Sequence, residues 1–248
     1  APYGQRSFDT IYQYTLECVQ WFFKQGCPLV ILACNTASAK ALKNIQHLAL
    51  PLMTPENRVL GVIRPTAEVI GHYTHTNEIG ILATTGTVIS ESYLIEIKKR
   101  FPDIKVVQQA CPMWVPMIES NEFRNEGGDY YLRKYLDQLL SGSKLIDTIL
   151  LACTHYPILT QKIKQYIGED ITILSQGPIV AKSLKDYLRR HPEIASRVTK
   201  DSSYEFFTTD AESDFDTHAS LFFGAPVKAH HTEIDHTIHF YPKALGKK

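Results

Sequence analysis

Short apolar runs that stop abruptly at polar residues recur along this chain, with amphipathic stretches between them. The runs at 29–34, 58–63, 78–83, 105–108, 148–153, 171–174 and 206–209 each read as a strand. The clearest of them are apolar throughout rather than alternating, which predicts strands buried on both faces of a parallel sheet. Ser7 or Asp9 is placed to cap a helix through Ile11, Leu16, Val19, Phe22 and Phe23 that ends near Gly26. Further helices are predicted over 38–47, from Arg64-Pro65 to about Gly71, over 90–100 and over 129–140. Pro51 and Pro55 read as breaks, and the stretch from Cys111 to Pro116 as irregular. This alternation predicts an α/β fold with right-handed crossovers. Arg64-Pro65 and the Ser175-Gln176-Gly177-Pro178 stretch read as flexible joints around a middle segment with its own alternation. The expectation is two similar parallel-sheet α/β domains related by a pseudo-twofold, with a cleft between them. The first is discontinuous, 1–63 with 175–248, and the second is 64–174.

Two of the runs end alike. Leu29-Val30-Ile31-Leu32-Ala33-Cys34-Asn35-Thr36 and Thr148-Ile149-Leu150-Leu151-Ala152-Cys153-Thr154-His155 both break at Ala-Cys and continue in small polar residues. Each cysteine is thus predicted at the carboxyl end of a strand, where open α/β sheets place their ligands. Each is also predicted beside a helix N-terminus, which lowers a thiol pKa from its usual value of roughly 8.5. The repetition points to one site with a cysteine on each side of the substrate. Two opposed thiols can remove a proton from one face of a carbon acid and return one to the other, which inverts a stereocentre. The negative charge built up next to a carboxylate then needs donors. Backbone N–H groups at helix starts, with Asn35, Thr36, Thr84, Thr87 and Thr154, are the candidates. His155 and Glu119 are titratable groups suited to relaying the proton of Cys153. A thiol hydrolase built on Cys153 and His155 is the competing chemistry, but a base two residues from its nucleophile is expected to point away from it. That reading also leaves Cys34 without a role.

Composition narrows the classes. The 26 basic and 26 acidic side chains cancel, so nothing here marks a nucleic-acid surface. No apolar run approaches a membrane span and no signal peptide opens the sequence, so a cytoplasmic protein without membrane partners is expected. Five cysteines, an odd number without dense spacing, are expected to be free thiols in a reducing compartment. Cys18, Cys27 and Cys111 read as small buried hydrophobes. His230, His231, His236 and His239 read as an exposed tail rather than metal ligands, and no metal is expected. Tyr130, Tyr131 and Tyr135 read as a packing face, and the cations at 98–100 and 189–190 as solvated helix ends.

The chain opens Ala1-Pro2-Tyr3-Gly4, and its first strong strand comes only at 29–34. A doubly wound domain usually begins with a strand, so a fragment lacking its beginning is expected. The motifs Pro2-Tyr3-Gly4, Ala33-Cys34-Asn35-Thr36-Ala37-Ser38, Gly61-Val62-Ile63 and Ala83-Thr84-Thr85-Gly86-Thr87 occur in that order. Val115-Pro116-Met117-Ile118-Glu119 and Ala152-Cys153-Thr154-His155-Tyr156-Pro157 follow them. Over about residues 1–180 this ordered set resembles glutamate racemase, the cofactor-independent enzyme that makes D-glutamate for bacterial peptidoglycan. The resemblance implies that Cys34 deprotonates D-glutamate and Cys153 deprotonates L-glutamate, with Glu119 and His155 assisting on the Cys153 side. It implies that Tyr3, Gly4, Asn35, Thr36, Thr84, Thr87 and Thr154 hold the substrate, that no cofactor is needed, and that the protein pairs into a homodimer. The family pattern also has an Asp-Ser-Gly turn ahead of Pro2-Tyr3-Gly4, a segment this chain is expected to lack, and an acidic turn where this chain has Ser175-Gln176-Gly177. Aspartate racemase and a truncated, non-catalytic glutamate-binding form are the alternatives.

Overall fold

The computed structural model of the chain describes residues 3–234. Its strands are β1 (Leu29–Leu32), β2 (Arg58–Gly61), β3 (Glu78–Ala83), β4 (Lys105–Ala110), β5 (Thr148–Ala152), β6 (Thr172–Ser175), β7 (Phe206–Thr208) and β8 (Ala229–His231). Every pairing among them is parallel. β1 pairs with β2, β7 pairs with β8, and the remaining four form one sheet in the order β4-β3-β5-β6. Helices cover both faces of that central sheet, as parallel pairing requires of its crossovers.

β5 shows why. All five of its residues are buried, and because side chains alternate along a strand they feed two separate cores. Ile149 and Leu151 join Leu132, Leu136, Leu139 and Ile163 on one face, while Leu150 and Ala152 join Ile63, Ala67, Ile70, Tyr93 and Ile97 on the other. Gly80 of β3 lets helix Glu126–Gly142 approach closely, since a Cβ there would lie 2.8 Å from Leu139 Cδ2. A third core belongs to β1 and β2, where Val30, Leu32 and Val59 meet Tyr12, Leu16 and Val19 of helix Phe8–Lys24. Ser7 caps that helix, its side chain accepting from the Thr10 N–H.

Several local expectations are corrected. The helix after β1 starts at Asn35, directly behind Cys34, and helical structure continues with interruptions to Met53. Pro51 does not break it, because it sits in the first turn of the last segment, Leu50–Met53, where a missing N–H is no loss. Trp114–Glu119 is helical rather than irregular, with Pro116 again in a first turn. Arg64 and Pro65 lie within helix Ile63–Ala67, and Ser175 is the cap residue of helix Gln176–Arg190. That helix, helix Glu212–Phe223 and strand β8 are additions to the sequence reading. His230 and His231 are exposed but belong to β8, not to a tail. His236, His239 and Pro2 lie outside the described residues. Cys111 is buried, whereas Cys18 and Cys27 are only partly so, which corrects the expectation for that pair. Among the described residues no helix is long and apolar enough to cross a membrane.

Leu151 is 1% exposed at the centre of β5. Leu151→Ala is expected to lower stability by about 2–5 kcal/mol in urea denaturation. The exposed Leu145→Ala is expected to stay within about 0.5 kcal/mol of the parent.

Candidate active site

Parallel pairing sends the carboxyl ends of β3 and β5 out on the same side, and the chain there carries Thr84, Thr87, Cys153, Thr154 and His155. Cys34 follows β1 in an extended conformation as the cap residue of helix Asn35–Lys40, and its carbonyl accepts from the Ser38 N–H at 2.9 Å. Thr36 is on the first turn of that helix. Thr84 follows β3 as the cap residue of helix Thr85–Ile89, which contains Thr87. The three hydroxyls form a triangle, with Thr36 Oγ1 2.8 Å from Thr84 Oγ1 and 3.3 Å from Thr87 Oγ1, and Thr84 Oγ1 3.1 Å from Thr87 Oγ1.

Gly86 makes this meeting possible, because a Cβ there would lie 3.0 Å from both the Gly4 carbonyl oxygen and Thr36 Cγ2. The Tyr3–Gln5 turn packs on the triangle in turn, with the Cβ position of Gly4 3.0 Å from Thr84 Cβ. Burial pushes the Tyr3 hydroxyl up to about 12, and the Cys18 and Cys34 thiols add to the rise.

On the other side Cys153 directly follows β5 and is 8% exposed. Its Sγ lies 3.8 Å from His155 Nδ1, and His155 Nε2 lies 3.2 Å from Glu119 Oε1. The helical turn at His155 aims the imidazole back at the thiol, against the expectation drawn from its spacing. A second expectation is overturned as well. Burial pushes the Cys153 thiol up to about 12; backbone N–H groups of His155 and Tyr156 oppose the rise, while Cys34 and Glu119 add to it. The chain after Cys153 makes a bend and a short 3₁₀ helix, Tyr156–Leu159, before an α-helix begins at Thr160. The thiol therefore meets a few N–H groups rather than the end of a full helix, and desolvation wins.

The remaining residues fall as follows. Thr154 is exposed beside Cys153. Asn35 turns its side chain inward rather than toward open space, donating from Nδ2 to Gln176 Oε1 at 2.6 Å and accepting at Oδ1 from the Tyr93 hydroxyl at 2.7 Å. Helix Glu212–Phe223 reaches this group from outside: His218 Nε2 lies 2.9 Å from the Glu119 carbonyl oxygen and its Nδ1 2.8 Å from that of Asp214, and the Phe222 ring stands edge-on to His155 at 5.5 Å between centroids. Sequence reasoning missed Gln176, Tyr93, His218 and Phe222 as neighbours of the site. The only signal for any of them was the unusual Gln176 in a stretch expected to be acidic. Among the described residues no group of three or more His, Cys, Asp or Glu is placed to hold a metal ion.

The candidate site thus has two thiols beyond strand ends of different sheets, with hydroxyls and helix-start N–H groups at those ends. No protein-family model matches the chain. Among curated proteins it is 33% identical over 224 residues to the glutamate racemase of Geobacter metallireducens, covering 90% of this chain and 79% of that one. To the glutamate racemase of Enterococcus faecalis it is 35% identical over 229 residues, with the same two coverages of 90% and 79%. Among solved structures, a glutamate racemase isoform from Bacillus anthracis superposes with a TM-score of 0.83 at 30% identity, covering 94% of this chain and 84% of that one. The Francisella tularensis glutamate racemase, solved in complex with D-glutamate, gives 0.81 at 26% identity, with 95% and 84% covered. Relatedness at this level over nine-tenths of the sequence decides the matter: this chain belongs to the glutamate racemase family.

Proposed function

We propose that this protein interconverts L- and D-glutamate by proton transfer between two cysteines, supplying D-glutamate for peptidoglycan. The observation that carries the reading is that Cys34 and Cys153 each follow the carboxyl end of a parallel strand, β1 and β5 of separate sheets, with the hydroxyls of Thr36, Thr84 and Thr87 meeting beside those ends. In this reading residues 1–63 with 175–248 form one domain and 64–174 the other, and the substrate lies in the cleft between them. The protein works in the cytoplasm as a homodimer, as the family resemblance implies.

With its pKa near 12, Cys153 rests as a thiol and is ready to donate. Starting from D-glutamate, Cys34 takes the α-proton and Cys153 delivers its own to the opposite face, leaving L-glutamate. In the reverse direction Cys153 must first lose its proton. His155 Nδ1 is the acceptor in line with its sulfur, and the Glu119 carboxylate steadies the imidazolium that results. The charge that develops beside the α-carboxylate is met by the Thr36, Thr84 and Thr87 hydroxyls and by N–H groups at the starts of helices Asn35–Lys40 and Thr85–Ile89. Tyr3, Gly4, Asn35 and Thr154 complete the surroundings of the substrate.

The Cys153–His155–Glu119 alignment also has the form of a thiol hydrolase, a second reading that the geometry brings closer than the sequence did. It leaves Cys34 idle, and it requires a nucleophile whose thiolate burial opposes.

Incubation of the protein with either glutamate enantiomer in D₂O is expected to exchange the α-hydrogen with inversion. Inversion that persists in both Cys34→Ser and Cys153→Ser would refute the two-thiol mechanism; Cys111→Ser is expected to leave turnover intact. An acyl-enzyme trapped on Cys153 by an activated ester would favour the hydrolase instead. Removing the relay with His155→Asn is expected to slow turnover by roughly 10²–10⁴-fold, measured as kcat in both directions. The buried Cys153 thiol is expected to react slowly with iodoacetamide at pH 8. Its rate should climb about tenfold per pH unit toward 12, because only the thiolate is alkylated. A rate at pH 8 equal to that in urea would contradict its protonated resting state.

A further inference from the structure

The buried polar cluster behind Cys34 has no part in the proton transfer just described, yet it joins every segment that meets there. Gln176, 8% exposed, opens helix Gln176–Arg190 after β6. Its Oε1 accepts from Asn35 Nδ2 at 2.6 Å. Its Nε2 points one hydrogen at the Tyr93 hydroxyl at 2.6 Å and shares the other between Thr66 Oγ1 at 3.1 Å and the Val62 carbonyl at 3.2 Å. The Tyr93 hydroxyl in turn donates to Asn35 Oδ1 at 2.7 Å. Asn35, Gln176 and Tyr93 therefore form a closed ring in which each donates to the next.

The ring explains why an amide stands at 176. A carboxylate there can accept from Asn35 but has no hydrogen for the Val62 carbonyl. It would also draw the Tyr93 hydroxyl away from Asn35 Oδ1. Only a side chain with an acceptor at one end and a donor at the other closes the cycle. Tyr93 and Thr66 are fully buried, and Asn35 is 3% exposed, so water cannot substitute for a missing partner. Asn35 is the first residue of the helix that Cys34 caps. Fixing its side chain fixes the helix start on which the thiol stands, and it does so against Tyr93 from the helix Ser92–Arg100 beside the central sheet.

We propose that Gln176 is a positioning residue for the Cys34 half of the site: with Tyr93 it locks Asn35, and thereby holds the Cys34 sulfur at fixed reach of the substrate α-carbon. The proposal rests on the two-thiol reading and deepens it. Asn35 then serves the substrate through its backbone N–H and its placement of Cys34, since both polar ends of its side chain are engaged in the ring.

Gln176→Met keeps the length and removes the ring; Tyr93→Phe removes one oxygen from it. Both variants are compared with the parent using α-deuterated D-glutamate and, separately, α-deuterated L-glutamate, with folding checked by near-UV circular dichroism. A misplaced Cys34 makes its own proton step slower, so kcat is expected to fall on the order of 10–100-fold. The primary isotope effect is expected to rise from the D side and to shrink from the L side. A merely structural role lowers the active fraction and leaves both isotope effects where they were, which would overturn the proposal. A rise from the L side alone would retain the positioning role and overturn the assignment of Cys34 to D-glutamate. If the parent itself exchanges no α-hydrogen, the two-thiol reading fails, and iodoacetamide labelling of Cys34 still decides the positioning. A changed Cys34 rate at constant Cys18 rate supports it, and equal rates in parent and Gln176→Met refute it.

Discussion

Parallel pairing of β3 with β5, in register from Ile79 opposite Thr148 to Ala83 opposite Ala152, determines where chemistry can occur in this molecule. Two strands that run together also end together, so Thr84 and Cys153 leave the sheet at the same level. The β3–β4 pairing adds Cys111 to that level, since β4 ends opposite Ala83. The price of the arrangement is burial on both faces, because parallel strands need crossovers and the crossovers are helices. That burial is why β5 reads as a continuous apolar run, and why the residue just after it is still nine-tenths covered.

The chemistry of Cys153 follows from this constraint more than from its immediate neighbours. A strand end beside a helix start is a place where thiols become acidic, yet here desolvation outweighs the few N–H groups available. The outcome is a proton held firmly on sulfur, with an imidazole aligned to accept it and a carboxylate behind the imidazole. Helix Glu212–Phe223 touches this relay at the Glu119 carbonyl and the His155 ring while burying none of its own residues. The relay is therefore walled partly by an element that the core does not hold tightly.

How much of this the sequence showed depends on whether the signal was local. Strands β3 and β5, the helix capped by Ser7 and both cysteine positions were legible because an apolar run, a cap or a repeated motif lies within a few residues. Pro51 and Pro116 misled because proline breaks a helix only beyond its first turn, and where that turn falls is decided by packing. The direction of the Cys153 pKa was not legible at all. It is set largely by side chains distant in sequence that exclude water, among them the core of Trp114, Met117, Leu132 and Leu136. His155 misled for a related reason, since the two-residue spacing says nothing about the helical turn that brings its ring back toward the sulfur.

The two halves of the site are thus built on different physics despite their similar sequences. Cys34 caps a true α-helix, is partly exposed, and depends for its position on a ring of neutral amide and hydroxyl groups. Cys153 is buried beyond a strand and depends on titratable partners. A neutral ring holds its geometry without regard to pH, whereas a Cys–His–Glu alignment changes charge whenever a proton moves along it. A two-base reaction asks for unlike groups at each moment, one ready to take a proton and one ready to give it. Two thiols of identical chemistry can meet that demand only if their surroundings differ, and the surroundings here differ in burial, in partners and in the source of rigidity.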